Sequence, residues 1–498
     1  MTAPLERELD VLRSADLIRL VTADPDPEYA FRHALLQDAA YRLLLRGERQ
    51  ALHREVGRSL EELLPDRREE LAAVLAYHFE KAEEWDPAVR YLVLAGMQAR
   101  KRFANHEARD LFDRAAHHLD ASHVAPDAAL QVEVALGRAQ AGFSYIPFDE
   151  SLSLLEDILP TAEALGDDRL LTAIHLQIGR VRHSRGESYS TSPKLRTSLD
   201  EALRLGAALG DESVRAVPLS LIGSARLAAG DHSGAAECLE VALPILESLD
   251  DYSNAALTAG ALARARARSG DFSAAREPAA RSLELAELSG DPNVRLDSQI
   301  FAGIVAAEEG NLDEALVLTR EGVRLADEVG NTYCSLVGNF YLGDQHLRRG
   351  QVQEAVASLT RSRELAEFCD AGSLVSLSDA WLTAARARLG ERDLQPFEPP
   401  LRHTRVTGDR YAESLVLQLR ARARAHQPKP DWKRSIEDLQ TAAANLDALG
   451  ARPALARVLA DLGRALTEAG REEDAAHATR RAKELERAVG LTPDPPGL

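Results

Sequence analysis

Apolar residues recur at helical spacing in short, evenly punctuated runs along most of the 498-residue chain. Between Gly330 and Gly350 the segment Cys334 to Leu347 keeps this spacing, and Ala355 to Ala366 keeps it beyond the next break. The breaks are periodic. Gly230, Gly270, Gly310 and Gly350 fall at one constant interval, each followed five positions on by Ala235, Ala275, Ala315 or Ala355. A second series lies between them, at Gly210-Asp211, Asp250-Asp251, Gly290-Asp291, Gly330-Asn331 and Asp370-Ala371, with the same interval. Glycine readily takes the left-handed conformation that ends a helix, and a following Asp or Asn can cap the next one. Two interleaved series therefore predict two helices per unit, a helical hairpin of about 40 residues. Such a hairpin cannot bury its apolar stripes alone, so its neighbours must stack.

The pattern continues with looser spacing on both sides. Gly142, Gly186 and Gly230 are 44 apart, as are Gly166 and Gly210. Downstream, Pro396, Pro399 and Pro400, and then Gln427-Pro428-Lys429-Pro430, interrupt the helical pattern. The array resumes at Leu462-Gly463 and Gly470 and ends in the proline-rich stretch Thr492-Pro493-Asp494-Pro495-Pro496.

Composition agrees with an all-α fold, since aromatic residues make up only 5% and strong helix formers dominate. A net charge of -19 opposes a broad nucleic-acid footprint, which needs clustered cations. The six lysines (Lys81, Lys101, Lys194, Lys429, Lys433, Lys483) are scattered, and the arginines are interspersed with Asp and Glu as on solvated helix faces. Cys238, Cys334 and Cys369 are too far apart for a zinc or disulfide pattern and read as small buried residues. The N-terminal residues lack an apolar leader, and no stretch reaches the roughly 18 apolar residues of a membrane span, so the expectation is a cytoplasmic protein with no membrane partner.

In several units a Leu-Gly or Gly is followed seven residues on by the turn glycine, five further by Ala, and then by another small residue. Leu342-Gly343, Gly350, Ala355 and Ser362 fit, as do Gly303, Gly310, Ala315 and Gly322, and Leu462-Gly463, Gly470, Ala475 and Ala482. Gly223, Gly230, Ala235 and Ala242 fit as well. These residues resemble tetratricopeptide (TPR) repeats, although the closing Pro of that family is missing and the units are longer than its usual ones. They look more like the extended, MalT-like repeats of bacterial signal-transduction ATPases of the AAA/STAND type. Leu5 to Val21, a turn through Asp24-Pro25-Asp26-Pro27, and Tyr29 to Tyr41 resemble the last helix and wing of a winged-helix element. His53 to Leu119 resembles the connecting helices of such regulators. The resemblance implies a right-handed α-solenoid of stacked helical hairpins preceded by a small winged-helix remnant. It divides the chain into a partial winged-helix element (1–45), connecting hairpins (46–125), a TPR-like solenoid (126–490) and a disordered tail (491–498).

The catalytic part of that family is absent from the sequence. No G-x-x-x-x-G-K-[ST] loop occurs to cradle a nucleotide phosphate. Neither G-x-S-x-G nor H-E-x-x-H occurs, and Gly142-Phe143-Ser144-Tyr145-Ile146 only approaches the first. His117-His118 with Asp120 and His123 could bind a metal but reads better as surface histidines, and His33 as structural. The expectation is a protein with no catalytic residues, no cofactor and no metal.

A column of rings stands out instead. In register with the Leu-Gly positions, Phe301, Tyr341 and Trp381 are equivalent and keep the stride of the glycines, with Gln177 roughly equivalent further up. By the resemblance this column faces the concave groove, with Arg180, Arg264, Phe340, Asp344 and Arg348 as neighbours. Rings beside Arg and Asp can hold a peptide or small ligand by stacking and charge-assisted hydrogen bonds. The same rings could equally fill gaps between adjacent hairpins, and both readings remain open at this point. The expected function is a regulatory module binding a protein segment or effector in its groove. The alternative is a transcriptional regulator whose repeats sense a small-molecule inducer. Nucleic acid is not expected as a partner of this chain alone.

Overall fold

The computed structural model describes residues 3–22, 28–121 and 127–494. Helices account for nearly all of them, and the one sheet among the described residues has two strands. The chain forms two compact units, the first comprising Met1–Lys101 with Asp110–Asp127, the second Arg102–Arg109 with Ala128–Leu498.

The first unit opens with a helix, Ala3–Ser14, and an antiparallel hairpin in which Ile18–Thr22 pairs with Glu28–Phe31. The turn expected at Asp24-Pro25-Asp26-Pro27 lies outside the described residues. Helices Ala34–Leu43, Arg46–Leu63, Ala72–Ala82 and Trp85–Lys101 follow. Leu75, Phe79 and Ala88 form one buried cluster of this unit, with Phe79 reaching Gly57, where a β-carbon would stand 3.1 Å from the ring. In the expected histidine cluster, His118 contacts Glu80 at 3.0 Å and stacks near Trp85, while His123 lies outside the described residues.

The second unit is an α-solenoid. Nine helical hairpins follow one another among its described residues, from Ala128–Gly142 with Phe148–Leu165 to Arg452–Glu468 with Glu472–Val489. Both glycine series end helices as the spacing predicts. Gly270, Gly310 and Gly350 all have φ between +84° and +89°, and where glycine is missing from the second series, Asp250 and Asp370 take the same left-handed conformation. Side-chain carboxylates then cap the next helices: Asp231 accepts from the Gly234 amide at 3.0 Å, Asp271 from Ala274 at 3.0 Å and Asp291 from Asn293 at 2.8 Å.

Small residues mark the crossing points within hairpins. A β-carbon at Gly303 would stand 2.2 Å from Thr319 Oγ1, and one at Gly343 would stand 2.4 Å from Leu359, so larger residues would force the paired helices apart. Prolines shorten one unit without ending the array: Gln395–Phe397 forms a 3-10 turn and Glu398–Thr407 a short helix with prolines in its first turn. Cys334 and Cys369 are buried and Cys238 is half-buried. No helix among the described residues is long and apolar enough to cross a membrane.

The solenoid winds until hairpins distant in sequence meet. Gly186 lies against Ser373, Gly230 against Tyr411 and Leu449, Gly270 against Arg452 and Val489, and Gly310 against Thr492. Each of these turn glycines thus approaches chain that lies several hairpins further on. Hydrogen bonds join the same levels, from Ser373 Oγ to the Gly186 carbonyl at 3.0 Å and from Thr191 Oγ1 to the Thr407 carbonyl at 2.7 Å. Residues 491–494, which the sequence places in a disordered tail, continue this stacking. Leu491 is buried against Ala263, Phe272 and Ala456, and the Thr492 amide donates to the Glu309 carbonyl at 2.9 Å. Residues 495–498 lie outside the described residues.

Candidate functional site

The first helices of successive hairpins face a shared interior in the second unit, each presenting every third or fourth side chain to it. A cavity of about 230 Å³ opens there. Its walls come from helices Tyr252–Ser269, Pro292–Glu309, Thr332–Arg349, Gly372–Arg388, Arg410–Ala425 and Arg452–Glu468, from Ala228 at the end of Glu212–Ala228, and from Asp409 and Asp494 outside the helices.

Of the eight residues singled out in the sequence, Arg264, Phe340, Tyr341, Asp344, Arg348 and Trp381 line this cavity. Phe301 and Arg180 do not. The Phe301 ring lies beneath the Arg264 guanidinium at 4.9 Å, and Arg180 lies in the field of the Asp297 carboxylate, its own pKa lowered by burial. The side chain of Phe301 therefore acts as a platform under a wall residue, and Arg180 belongs to an adjoining polar layer.

The ring column unites the two readings. Trp381 is only 3% exposed and meets Phe340 edge-on with centroids 5.1 Å apart, which is core packing between adjacent hairpins. Its indole N–H nevertheless turns to Asp344, donating at 2.8 Å, and its edge reaches the cavity wall. Tyr341, half-buried, lines the cavity together with Arg264. One ring thus fills a gap between helices, while the next presents a hydroxyl beside a guanidinium.

Electrostatics distinguish the far wall. Arg268 lies over the Tyr411 ring at 4.6 Å, and the Tyr411 hydroxyl donates to Glu308 at 3.1 Å. Arg457 donates to the Glu308 carboxylate at 3.0 Å and to its backbone carbonyl at 2.9 Å. Burial would raise the Glu308 pKa, but Arg457, Arg268 and Arg348 outweigh it and hold the carboxyl below its ordinary value. Burial raises Asp344 despite the opposing field of Arg348. In the adjoining layer burial pushes Asp297 up to about 6, with the Cys334 thiol donating to it at 3.1 Å.

Arg348 is the best-connected of these groups. Its guanidinium donates to the Ala307 carbonyl at 2.9 Å and, at 2.7 and 3.1 Å, to both carboxylate oxygens of Asp494. Burial would lower its pKa, but the Asp494 carboxylate outweighs burial and holds the guanidinium above its ordinary value. Asp494 responds in kind: burial alone would push it up, but Arg348 and Arg457 bring it down to about 2.

The sequence reading missed Arg268, Glu308, Tyr411, Arg422, Arg457 and Asp494. Part of the signal was present. Arg268, Glu308, Arg348 and Arg388 form a second column with the stride of the glycines, five residues after the small crossing position. Each arginine of this column donates to a carbonyl of the preceding unit: Arg268 to Leu227 at 3.4 Å, Arg348 to Ala307 at 2.9 Å and Arg388 to Leu347 at 3.0 Å. Tyr411, Arg457 and Asp494 arrive from far along the chain, and no local spacing announces them. Among the described residues no group of three or more His, Cys, Asp and Glu is placed to hold a metal ion.

No protein-family model matches the sequence, and no curated protein does. Solved structures that resemble the chain include a Rap protein complexed with competence and sporulation factor, at 13% identity and a TM-score of 0.49, covering 81% of this chain and 98% of that one. Aspartyl phosphate phosphatase F from Bacillus subtilis resembles it at 12% identity and a TM-score of 0.40, covering 82% and 97%. A signal transduction ATPase with numerous domains from Pyrococcus horikoshii, carrying a tetratricopeptide repeat sensor, does so at 14% and 0.36, covering 74% of this chain and 55% of that one.

Proposed function

We propose that the chain is a non-enzymatic regulatory scaffold that binds a protein segment or effector on the inner face of its solenoid, within a bacterial signalling or transcription-regulating ATPase system. The observation that carries this reading is the cavity, where aromatic edges, guanidiniums and carboxylates from six helices converge without a nucleophile–base pair among them. Rings offer stacking area at little entropic cost, and paired charges offer direction, the combination that suits recognition. The N-terminal helix and strand hairpin fit a remnant of a winged-helix element inherited from a larger regulator.

The test is a peptide array probed with the purified protein and with Tyr341→Ala, which removes a half-buried cavity wall while leaving the buried Trp381 in place. Peptides that bind the wild-type protein should lose at least tenfold in affinity to the variant, while the thermal transitions of the two proteins stay within a few degrees. Unchanged affinity removes the groove as the binding site.

The same cavity supports the second reading, a small-molecule sensor, because its volume of about 230 Å³ suits a compact effector. In that version the first 45 residues assist DNA binding, and a gel shift at low salt showing no retained DNA eliminates it.

A further inference from the structure

One carboxylate in the cavity wall, that of Asp494, comes from beyond the last helix of the chain. Beyond the last helix, residues 491–494 run without regular structure along the inner face. They are fixed at three points. Leu491 is buried in the apolar cluster that also holds Ala263, Phe272 and Ala456. The Thr492 amide donates to the Glu309 carbonyl at 2.9 Å, at a helix end where the chain turns through Gly310. Asp494 accepts both of its bonds from Arg348 in a fork, its side chain left only 10% exposed.

Three anchors over four residues, one apolar, one through the main chain and one ionic, describe how an extended peptide is read, with main-chain bonding for affinity and pockets for side chains. The charge balance explains why the occupant is acidic. Five guanidiniums line the cavity, those of Arg264, Arg268, Arg348, Arg422 and Arg457, against the carboxylates of Glu308, Asp344 and Asp409 and that of Asp494. Arg422 is answered by Asp461 at 2.7 Å, so without Asp494 four guanidiniums face three acidic side chains, and Arg348 loses the carboxylate that grips it in a fork. Close approach at this point is built in, since a β-carbon on Gly310 would stand 1.9 Å from the Thr492 carbonyl oxygen.

From this geometry we infer that the Arg348 wall of the cavity, with the inner face beside it, is a receptor site for an extended peptide segment carrying an aspartate three residues after an apolar residue, and that residues 491–494 occupy it as a built-in competitor. The inference rests on the scaffold reading above and names its partner. A free ligand enters only as the tail leaves. The tail therefore sets the threshold concentration at which the ligand binds, by reducing the fraction of protein that is competent.

The probe is a fluorescein-labelled peptide of residues 489–494 of this chain. It is titrated by fluorescence anisotropy into the full-length protein and into full-length Leu491→Ser/Asp494→Ala, in which the tail has lost two anchors. The released variant should bind the probe at least tenfold more tightly than the wild-type protein. The same peptide carrying Asp494→Asn should bind the released variant at least tenfold more weakly than the probe, and adding Arg348→Gln to the variant should produce a similar loss. Should Arg348→Gln fail to fold, as judged by circular dichroism, the peptide comparison decides alone. Equal binding of the Asp and Asn peptides, equal binding to both proteins, or no binding to the released variant overturns the inference. Each of those results leaves the Tyr341→Ala test untouched, so failure of the tail proposal is distinct from failure of the groove.

Discussion

At the scale of single residues, the inner face is governed by where charge is buried and what answers it. Glu308 is the clearest case, because three guanidiniums keep it ionised although little water reaches it. Glu308→Gln would keep the shape but leave Arg457 and the Tyr411 hydroxyl facing a neutral amide. Breaking one side of a buried pair costs about 3 kcal/mol, so denaturant unfolding of this variant should show a loss of that order, larger than for an exposed pair such as Arg324–Glu321.

His232 tests burial through pH. It is 3% exposed and packs edge-on against Tyr411, and burial, helped by Arg268, brings its pKa down to about 4. Its folded pKa thus lies below the ordinary 6.5, so as pH falls the unfolded chain takes the proton first. Stability contributed by the neutral ring is complete above 6.5, declines between 6.5 and 4, and levels off below. Between pH 7 and pH 5 the wild-type protein should lose about 2 kcal/mol more than His232→Gln does, measured by urea unfolding at the two pH values. Equal losses would mean that the ring is already solvated.

At the scale of elements, a hairpin is defined by two kinds of glycine with different physics. Gly303 is small because Thr319 and the Ala315 carbonyl crowd it, while Gly350 has open space around it but a φ of +84°. Gly303→Ala must push backbone apart and should cost about 2 kcal/mol, as overpacked cores do. Gly350→Ala should cost nearer to about 1 kcal/mol, the penalty of a side chain in the left-handed region. Thermal melts of the two variants separate these causes, since Gly350→Asn should recover part of the second loss and nothing comparable rescues the first. Asp250 and Asp370 already tolerate that conformation naturally.

The elements were the most legible part of the sequence. A constant stride, a left-handed glycine and a capping Asp repeat often enough to be read without coordinates. The ring column was legible as a register but not as an environment: Phe301, Tyr341 and Trp381 share a position, yet one supports an arginine, one borders the cavity and one is packed between hairpins. Their surroundings depend on what neighbouring units carry, and that varies where the spacing does not. Residues 491–494 fall in the stretch expected to be a disordered tail, yet this irregular segment is anchored by its side chains and an amide.

At the scale of the second unit, function depends on closure. A straight stack of hairpins would bring Arg268, Glu308 and Arg348 together, but Tyr411, Arg457 and Asp494 join them only because the solenoid winds back over itself. No short-range pattern encodes that. It accumulates from small rotations between units and is secured by contacts such as Arg185 with Asp370 and Thr191 with Thr407.

Closure is therefore what the account most needs tested, and one distance tests it. Spin labels on Lys194 and Val406, both exposed and beside the Thr191–Thr407 contact, report it by double electron–electron resonance. The labelled sites lie five hairpins apart, so helices stacked at about 10 Å in a straight row would separate them by roughly 50 Å. The closed solenoid requires a narrow distribution centred at little more than half that separation or below, allowing for two label arms beside a hydrogen-bonded contact. A broad distribution near the straight-row separation would contradict it, and the cavity with it.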